Sequence, residues 1–159
     1  MIMYQLGRTS KNRLNTCHSD LILIIEESIK VSRIDFGVAQ GERTIELQQQ
    51  YFDNGKSKVN PKAYNTIEEL LKKGKHIVDG VIRKKSDAVD LYAYYNGSAQ
   101  WDEFSLCFIA GVVISTSERL YKEGKISHKI RWGGNWDSDG IIITDQSFQD
   151  LPHFELVKP

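Results

Sequence analysis

Cysteine is scarce in this chain: its 159 residues hold two, Cys17 and Cys107. They stand ninety positions apart in apolar, helix-like surroundings. Two such thiols read as free buried side chains rather than a disulfide framework, and they point to folding in a reducing cytoplasm. An excess of either charge is lacking too, since 21 Lys+Arg offset 21 Asp+Glu. That balance excludes nucleic acid or an anionic membrane surface as the expected partner. The short basic runs Lys72-Lys73 and Arg83-Lys84-Lys85 read as solvated faces. Residues 1–8 contain no basic stretch followed by an apolar run, so no secretory signal is expected. The most apolar stretches, Leu21 to Ile25 and Phe108 to Ile114, are too short to cross a bilayer, and no membrane insertion is expected. Repeats, low-complexity segments and linkers are absent. With 40% hydrophobic and 26% charged residues, the chain reads as one globular domain over 1–159, with no room for a separate cell-wall-binding or other domain.

What is present is a mixture of helical and strand periodicities. Leu14, Cys17, Leu21, Ile24, Ile25 and Ile29 recur at three- and four-residue steps, which predicts one amphipathic helix from Asn12 to Val31. Ile34 to Val38 alternates as a strand and ends in a Gln40-Gly41 turn. Glu42 to Phe52 returns to helical character until Asn54-Gly55 stops it. Thr66-Ile67-Glu68-Glu69 fits a capping box, with Gly74 at the expected helix stop. His76 to Gly80 predicts a brief strand and turn. Ala88 to Tyr94 is a strand followed by an Asn96-Gly97 turn. Trp101 to Lys122 is the longest helical pattern, and Gly111 within it is expected to admit a close neighbour. Lys129 to Trp132 and Phe154 to Val157 are further strands. Long helices with a few non-repeating strands give an α+β class, helices packed on a small antiparallel sheet.

The chemistry concentrates near the end, in Asp150-Leu151-Pro152-His153. An acid three positions before a histidine, stiffened by the proline between them, can place a general base beside a metal ligand, although a short Asp…His pair on its own reads more often as a surface salt bridge. Zinc catalysis needs about three protein ligands and one open position. Of the four histidines, His18 sits on the predicted first helix, and His128 lies beside Lys125 and Lys129, where cations disfavour a metal. Elimination leaves His76, Asp90 and His153 as the ligand set. Asp90 has a plainer alternative, an ion pair with Arg43 or Arg131. Trp132 and Trp136 read equally as core aromatics or as a cleft wall. Asp137, Asp139 and Asp145 around Gly140 resemble a fragment of a calcium loop, but too few oxygens have the right spacing, so they read as a solvated acidic turn.

Four blocks then carry a resemblance. They are Gly41-Glu42-Arg43-Thr44 with Glu46 and Gln48-Gln49; Ser86-Asp87-Ala88-Val89-Asp90; Arg131-Trp132-Gly133-Gly134-Asn135-Trp136-Asp137; and Asp150-Leu151-Pro152-His153-Phe154. In this order the chain resembles the zinc D-Ala-D-Ala carboxypeptidase and dipeptidase superfamily, and within it the phage endolysins that act as L-alanyl-D-glutamate peptidases. The resemblance implies the hedgehog-like fold of those enzymes, Zn2+ as cofactor, and peptidoglycan stem peptides as substrate. It implies Asp90 and His153 as zinc ligands, Asp150 as the base that activates the attacking water, and Arg43 as the donor to the developing oxyanion. Nothing in the sequence suggests more than a monomer, and without a secretory signal such an enzyme is expected to wait in the host cytoplasm and reach the wall once a holin-type partner permeabilises the membrane.

One departure stands out. The family pattern Ser-x-His-x-x-Gly-x-Ala-x-Asp puts its first histidine seven residues before the aspartate, where this chain has Arg83, whose charged guanidinium cannot ligate zinc. His76 is the nearest upstream histidine, and Asp79 to Lys85 then read as an enlarged loop. Seven extra loop residues cost about 0.6 kcal/mol or less. The alternatives are a D-Ala-D-Ala carboxypeptidase or dipeptidase with the same site, and a non-catalytic relative that has lost the metal.

Overall fold

The computed structural model describes residues 3–142 and 144–159. The expected first helix is two: α1, Arg8–Leu14, and α2, Ser19–Val31. The break comes from a partner distant in the chain. Cys17 leaves the helical path to bridge Ser86, and the His18 side chain accepts the Asp20 amide as N-cap of α2. A cap of this kind satisfies one of the four amide donors that a helix start leaves open. Cys17 is therefore buried between helices, not within one, and burial pushes its thiol up to about 12. Such a thiol is inert at neutral pH.

Strand β1 covers Phe36–Gln40. Helix α3, Ile45–Asp53, starts three residues later than its apolar pattern suggests, because Thr44 accepts the Leu47 amide and fixes the start. A 3-10 turn at Pro61–Ala63 precedes α4, Ile67–Lys73, whose Thr66–Glu69 capping box forms as read. Strand β2 is Ala88–Tyr95, β3 is Ser98–Gln100 and α5 is Glu103–Lys122, capped by Asp102. Strands β4, Lys129–Gly133, and β5, Asp150–Val157, complete the fold. Gly111 on α5 has no neighbour within 4 Å and is exposed, so it serves no close approach.

The strands form one antiparallel sheet in the order β1-β2-β5-β4, with β3 also paired to β2. Alternation along β2 divides its two faces. Val89, Leu91 and Ala93 join Phe154 and Leu156 in the core under α2 and α5, while Asp90 faces the other way. Helix α5 has the length and mean hydropathy of a membrane-crossing helix. Its Leu106, Ile109, Val113 and Leu120 are buried, however, which makes it the helix that closes the core. Phe154 is 1% exposed, and burying a side chain of that size contributes about 3 kcal/mol. That anchor holds β5 in register, so its neighbour His153 points to the opposite face beside Asp90.

Candidate metal centre

Register alone makes the first half of the site. His153 on β5 is the direct cross-strand partner of Asp90 on β2, so both side chains leave the same face of the sheet side by side. The third group arrives from a loop. Residues 76–78 lie against Arg43: the Arg43 amide donates to the His76 carbonyl at 2.8 Å, and the Val78 amide to the Arg43 carbonyl at 3.0 Å. This pairing replaces the expected strand at His76 to Gly80 and buries His76 to 5% exposure. The loop from Asp79 to Lys85 folds on itself, with Asp79 Oδ1 accepting the amides of Val81, Ile82 and Arg83. Arg83, at the family's histidine position, donates to the Gly74 and Leu71 carbonyls at the end of α4 and holds that loop down.

His76 Nε2, Asp90 Oδ1 and His153 Nδ1 consequently converge. Their separations are 3.2 Å from His76 to Asp90, 3.1 Å from His76 to His153 and 3.3 Å from His153 to Asp90. Donors about 2.0–2.1 Å from a tetrahedral ion stand about 3.3 Å apart, so the triangle has the size zinc requires. The outer nitrogens agree. His76 Nδ1 faces the Gly41 carbonyl at 2.7 Å, and a carbonyl only accepts, so Nδ1 carries the proton and Nε2 presents a lone pair. His153 Nε2 donates to Glu155 Oε2 at 2.8 Å, leaving Nδ1 free to ligate. Orienting partners of this kind fix the tautomer of metal-bound histidines.

Electrostatics points the same way. Burial alone would raise Asp90, but the two imidazoles hold it well below the carboxylate range. Burial favours neutral His153, yet the hydrogen bonds to Asp90 and Glu155 raise it to about 9. The pocket between these groups thus attracts a cation, and a metal at His153 Nδ1 competes with a proton. Glu155 would itself be raised by burial, but His153 and Arg131 bring it down to about 2, so it stays ionised.

Arg43 and Asp150 line the same cleft of about 630 Å³. The Arg43 guanidinium donates to Gln48 Oε1 at 2.7 Å and Gln40 Oε1 at 2.6 Å, and rests over the Tyr51 ring at 4.5 Å. Its Nη2 is 3.9 Å from Asp90 Oδ2, too far for a hydrogen bond, and its buried Nε has no partner. The plain Asp90–Arg43 ion pair is therefore a minor contact beside the two imidazoles, and Arg131 pairs with Glu155 instead. Asp150 opens β5 opposite Gly133, where a Cβ would meet the Asp150 carbonyl at 2.1 Å. Only glycine lets the two strands close there. Trp136 forms the cleft wall, its ring 5.5 Å from that of His153 and stacked on Phe148. Trp132 is core, 3% exposed, with its indole N–H on the Leu151 carbonyl.

Sequence reading missed Glu155, Gln40, Gln48 and Tyr51 as site residues. Glu155 sits in an apolar-looking strand and gives no signal except its place two residues after His153, on the same face. Gln40 reaches Arg43 because a bulge between Val38 and Gln40 sets it opposite Asp90. Two other groups of metal-ligand residues occur among the described residues. In His18, Asp20 and His128, Asp20 Oδ2 already accepts bonds from the backbone and side chains of Ser127 and His128, which ties the α5–β4 connection to α2. Asp137, Asp139 and Asp145 are exposed, and the first two accept amides of their own turn.

The model for the family described as phage L-alanyl-D-glutamate peptidase matches residues 2–157. The chain belongs to that family. It is 26% identical over 156 residues to the L-alanyl-D-glutamate peptidase of Escherichia phage T5, covering 97% of this chain and 98% of the relative. Its fold is similar to the crystal structure of the Serratia marcescens L-Ala D-Glu endopeptidase ChiX, with a TM-score of 0.65 and 21% identity over 98% of this chain and 91% of that one. The peptidase family thus accounts for the α+β architecture on which the triangle is built.

Within this peptidase framework Glu155 has a measurable role. Were zinc held by His153, Glu155→Gln at pH 9 should weaken its binding about 10–100-fold, because the neutral amide would no longer strengthen that imidazole as a ligand. At pH 7 the loss should shrink, since the same substitution lowers the His153 pKa and with it the competition from protons. In the parent, affinity should climb about tenfold per pH unit until the raised His153 pKa is passed. Competition titrations with a zinc indicator at several pH values read both effects; an equal loss at every pH would assign Glu155 a packing role only.

Proposed function

We propose that the protein is a zinc-dependent peptidoglycan peptidase that hydrolyses the L-alanyl-D-glutamate bond of stem peptides. The observation that carries this reading is the triangle of His76, Asp90 and His153, with both imidazoles anchored so that their lone pairs face inward. Zinc held there would act as Lewis acid and lower the pKa of water from 15.7 to about 7. Asp150 takes the proton of the attacking water and returns it to the departing amine. Arg43, positioned by Gln40 and Gln48, donates to the oxygen on which negative charge develops, an interaction typically worth about 3 kcal/mol. Trp136 and Phe148 narrow the cleft and limit water. On this reading residues 1–159 act as one catalytic unit and a monomer, and reach the wall through a membrane opened by a holin-type partner.

Digestion of purified peptidoglycan, followed by mass spectrometry of the fragments, tests the proposal. Glycan strands ending in L-alanine, formed with zinc and suppressed by a chelator, are the expected products. Release of terminal D-alanine would move the scissile bond to the carboxypeptidase position, and no zinc-dependent product would remove the enzyme reading.

A further inference from the structure

The face of β2 that carries Asp90 continues beyond the His76–Asp90–His153 triangle into a row of aromatic side chains. Asp90, Tyr92 and Tyr94 alternate out of the same face of β2, away from the core residues Val89, Leu91 and Ala93. Tyr92 lies across β1 above Gly37: a Cβ at Gly37 would meet the Tyr92 Cζ and Oη at 2.4 Å, so the missing side chain is what lets the phenol ring lie there. Trp101, just after β3, packs on Tyr92 with ring centroids 5.8 Å apart and keeps 53% of its surface exposed. Tyr94 is 42% exposed. Tyr92 and Tyr94 also border a polar cleft of about 440 Å³ that includes Gln5, Arg8 and Asp35. Exposed aromatic rings beside hydrogen-bonding groups suit a ligand that has both apolar and hydroxylated faces.

The other end of the surface differs in kind. Lys56, Lys58, Lys72, Lys73 and Lys75 border the metal cleft. Lys72 and Lys73 stand at the end of α4, and the Lys75 carbonyl accepts the Asp87 amide, which places Lys75 just before β2 begins, opposite in direction to Tyr92 and Tyr94, while Lys56 and Lys58 lie over the Tyr51 and Phe148 rings. A stem peptide has the same polarity. Its D-glutamate side carries a free carboxylate, while its L-alanine side leads through a lactyl ether to a sugar.

We infer that Tyr92, Tyr94 and Trp101 form a sugar-binding shelf that holds the glycan strand while the lysines receive the carboxylates of the peptide. The inference rests on the peptidase reading and sets the direction of the substrate across it. Lengths agree: Asp90 to Tyr92 is about 7 Å along the strand. One amide-linked alanine plus the lactyl group spans about 3.8 Å between Cα-type carbons and a further ether link, which reaches a similar distance.

Two substrates test the shelf: a disaccharide-linked stem peptide and the same peptide without sugar. Trp101→Ala should lower kcat/KM about tenfold on the first and leave the second unchanged, with Tyr94→Ala following the same pattern more weakly. Equal losses on both substrates, or none on either, would overturn the shelf. Calorimetry with peptide-free glycan strands supplies a readout independent of hydrolysis. Binding by the parent that is lost in Trp101→Ala supports the shelf, and no binding by the parent overturns it. If the parent binds glycan through Trp101 yet cleaves neither substrate, the peptidase reading falls and the shelf stands.

Discussion

Asp150→Asn is expected to lower kcat by about 10²–10⁴-fold, the usual contribution of a positioned general base, while the purified protein still carries one zinc per chain. The separation of the two effects follows from placement. Asp150 lies at the first position of β5, three residues before His153, and lines the cleft without belonging to the ligand triangle. Asparagine keeps its volume and leaves the Gly133 contact, which involves the Asp150 backbone, untouched. Burial and then the charge of Asp90 raise the Asp150 pKa, with His153, His76 and Arg43 opposing. A carboxylate acting as the proposed base must be ionised, so parental kcat/KM is expected to fall as pH drops through a value above the ordinary carboxylate pKa of about 3.9. That component of the acid limb should vanish in Asp150→Asn. Steady-state rates beside metal analysis decide the matter: parental turnover with full zinc would show that another group takes the proton.

The parts of the fold that could be read in the sequence were those set by local chemistry. The Thr66–Glu69 capping box and the β-branched and aromatic content of Ala88 to Tyr94 each carry their own signal, and both elements form as expected. The parts set by distant partners could not be read. Nothing local breaks the helical pattern at Cys17; the break comes from Ser86, sixty-nine positions away in the chain, which accepts the His18 amide. Strand β5 was expected from Phe154, yet it begins at Asp150, because β4 pairs with it as far as Gly133. That extension places His153 inside a strand, and its facing of Asp90 is a consequence of register, which no single strand's sequence encodes. His76 is singled out in the sequence by elimination alone; its placement beside Asp90 and His153 comes from the pairing of residues 76–78 with Arg43 and the anchor at the Gly41 carbonyl, neither of which is legible locally. Gln40 was hidden for the converse reason, since a bulge reverses the face that simple alternation would assign it.

His153→Ala should remove zinc and activity together, in contrast to Asp150→Asn. On the proposed reading one of three protein ligands is lost, and a zinc site worth roughly 10–16 kcal/mol in total would forfeit about a third of that, a weakening of about 10²–10⁴-fold. Glu155 is held by Arg131 and is directed at the lost ring, and Trp136 offers no donor to a metal. The variant also leaves Glu155 buried without one of its two partners, so some loss of metal-independent stability accompanies the substitution. Thermal melts with and without zinc separate these consequences. At zinc a hundredfold above its Kd the parent gains about 2.7 kcal/mol and melts correspondingly higher than chelator-treated protein. His153→Ala should melt at one temperature in both buffers and digest no peptidoglycan. A variant that still gained stability from zinc and still cut the wall would show that the ion binds elsewhere, and the triangle of His76, Asp90 and His153 would lose its place in the chemistry.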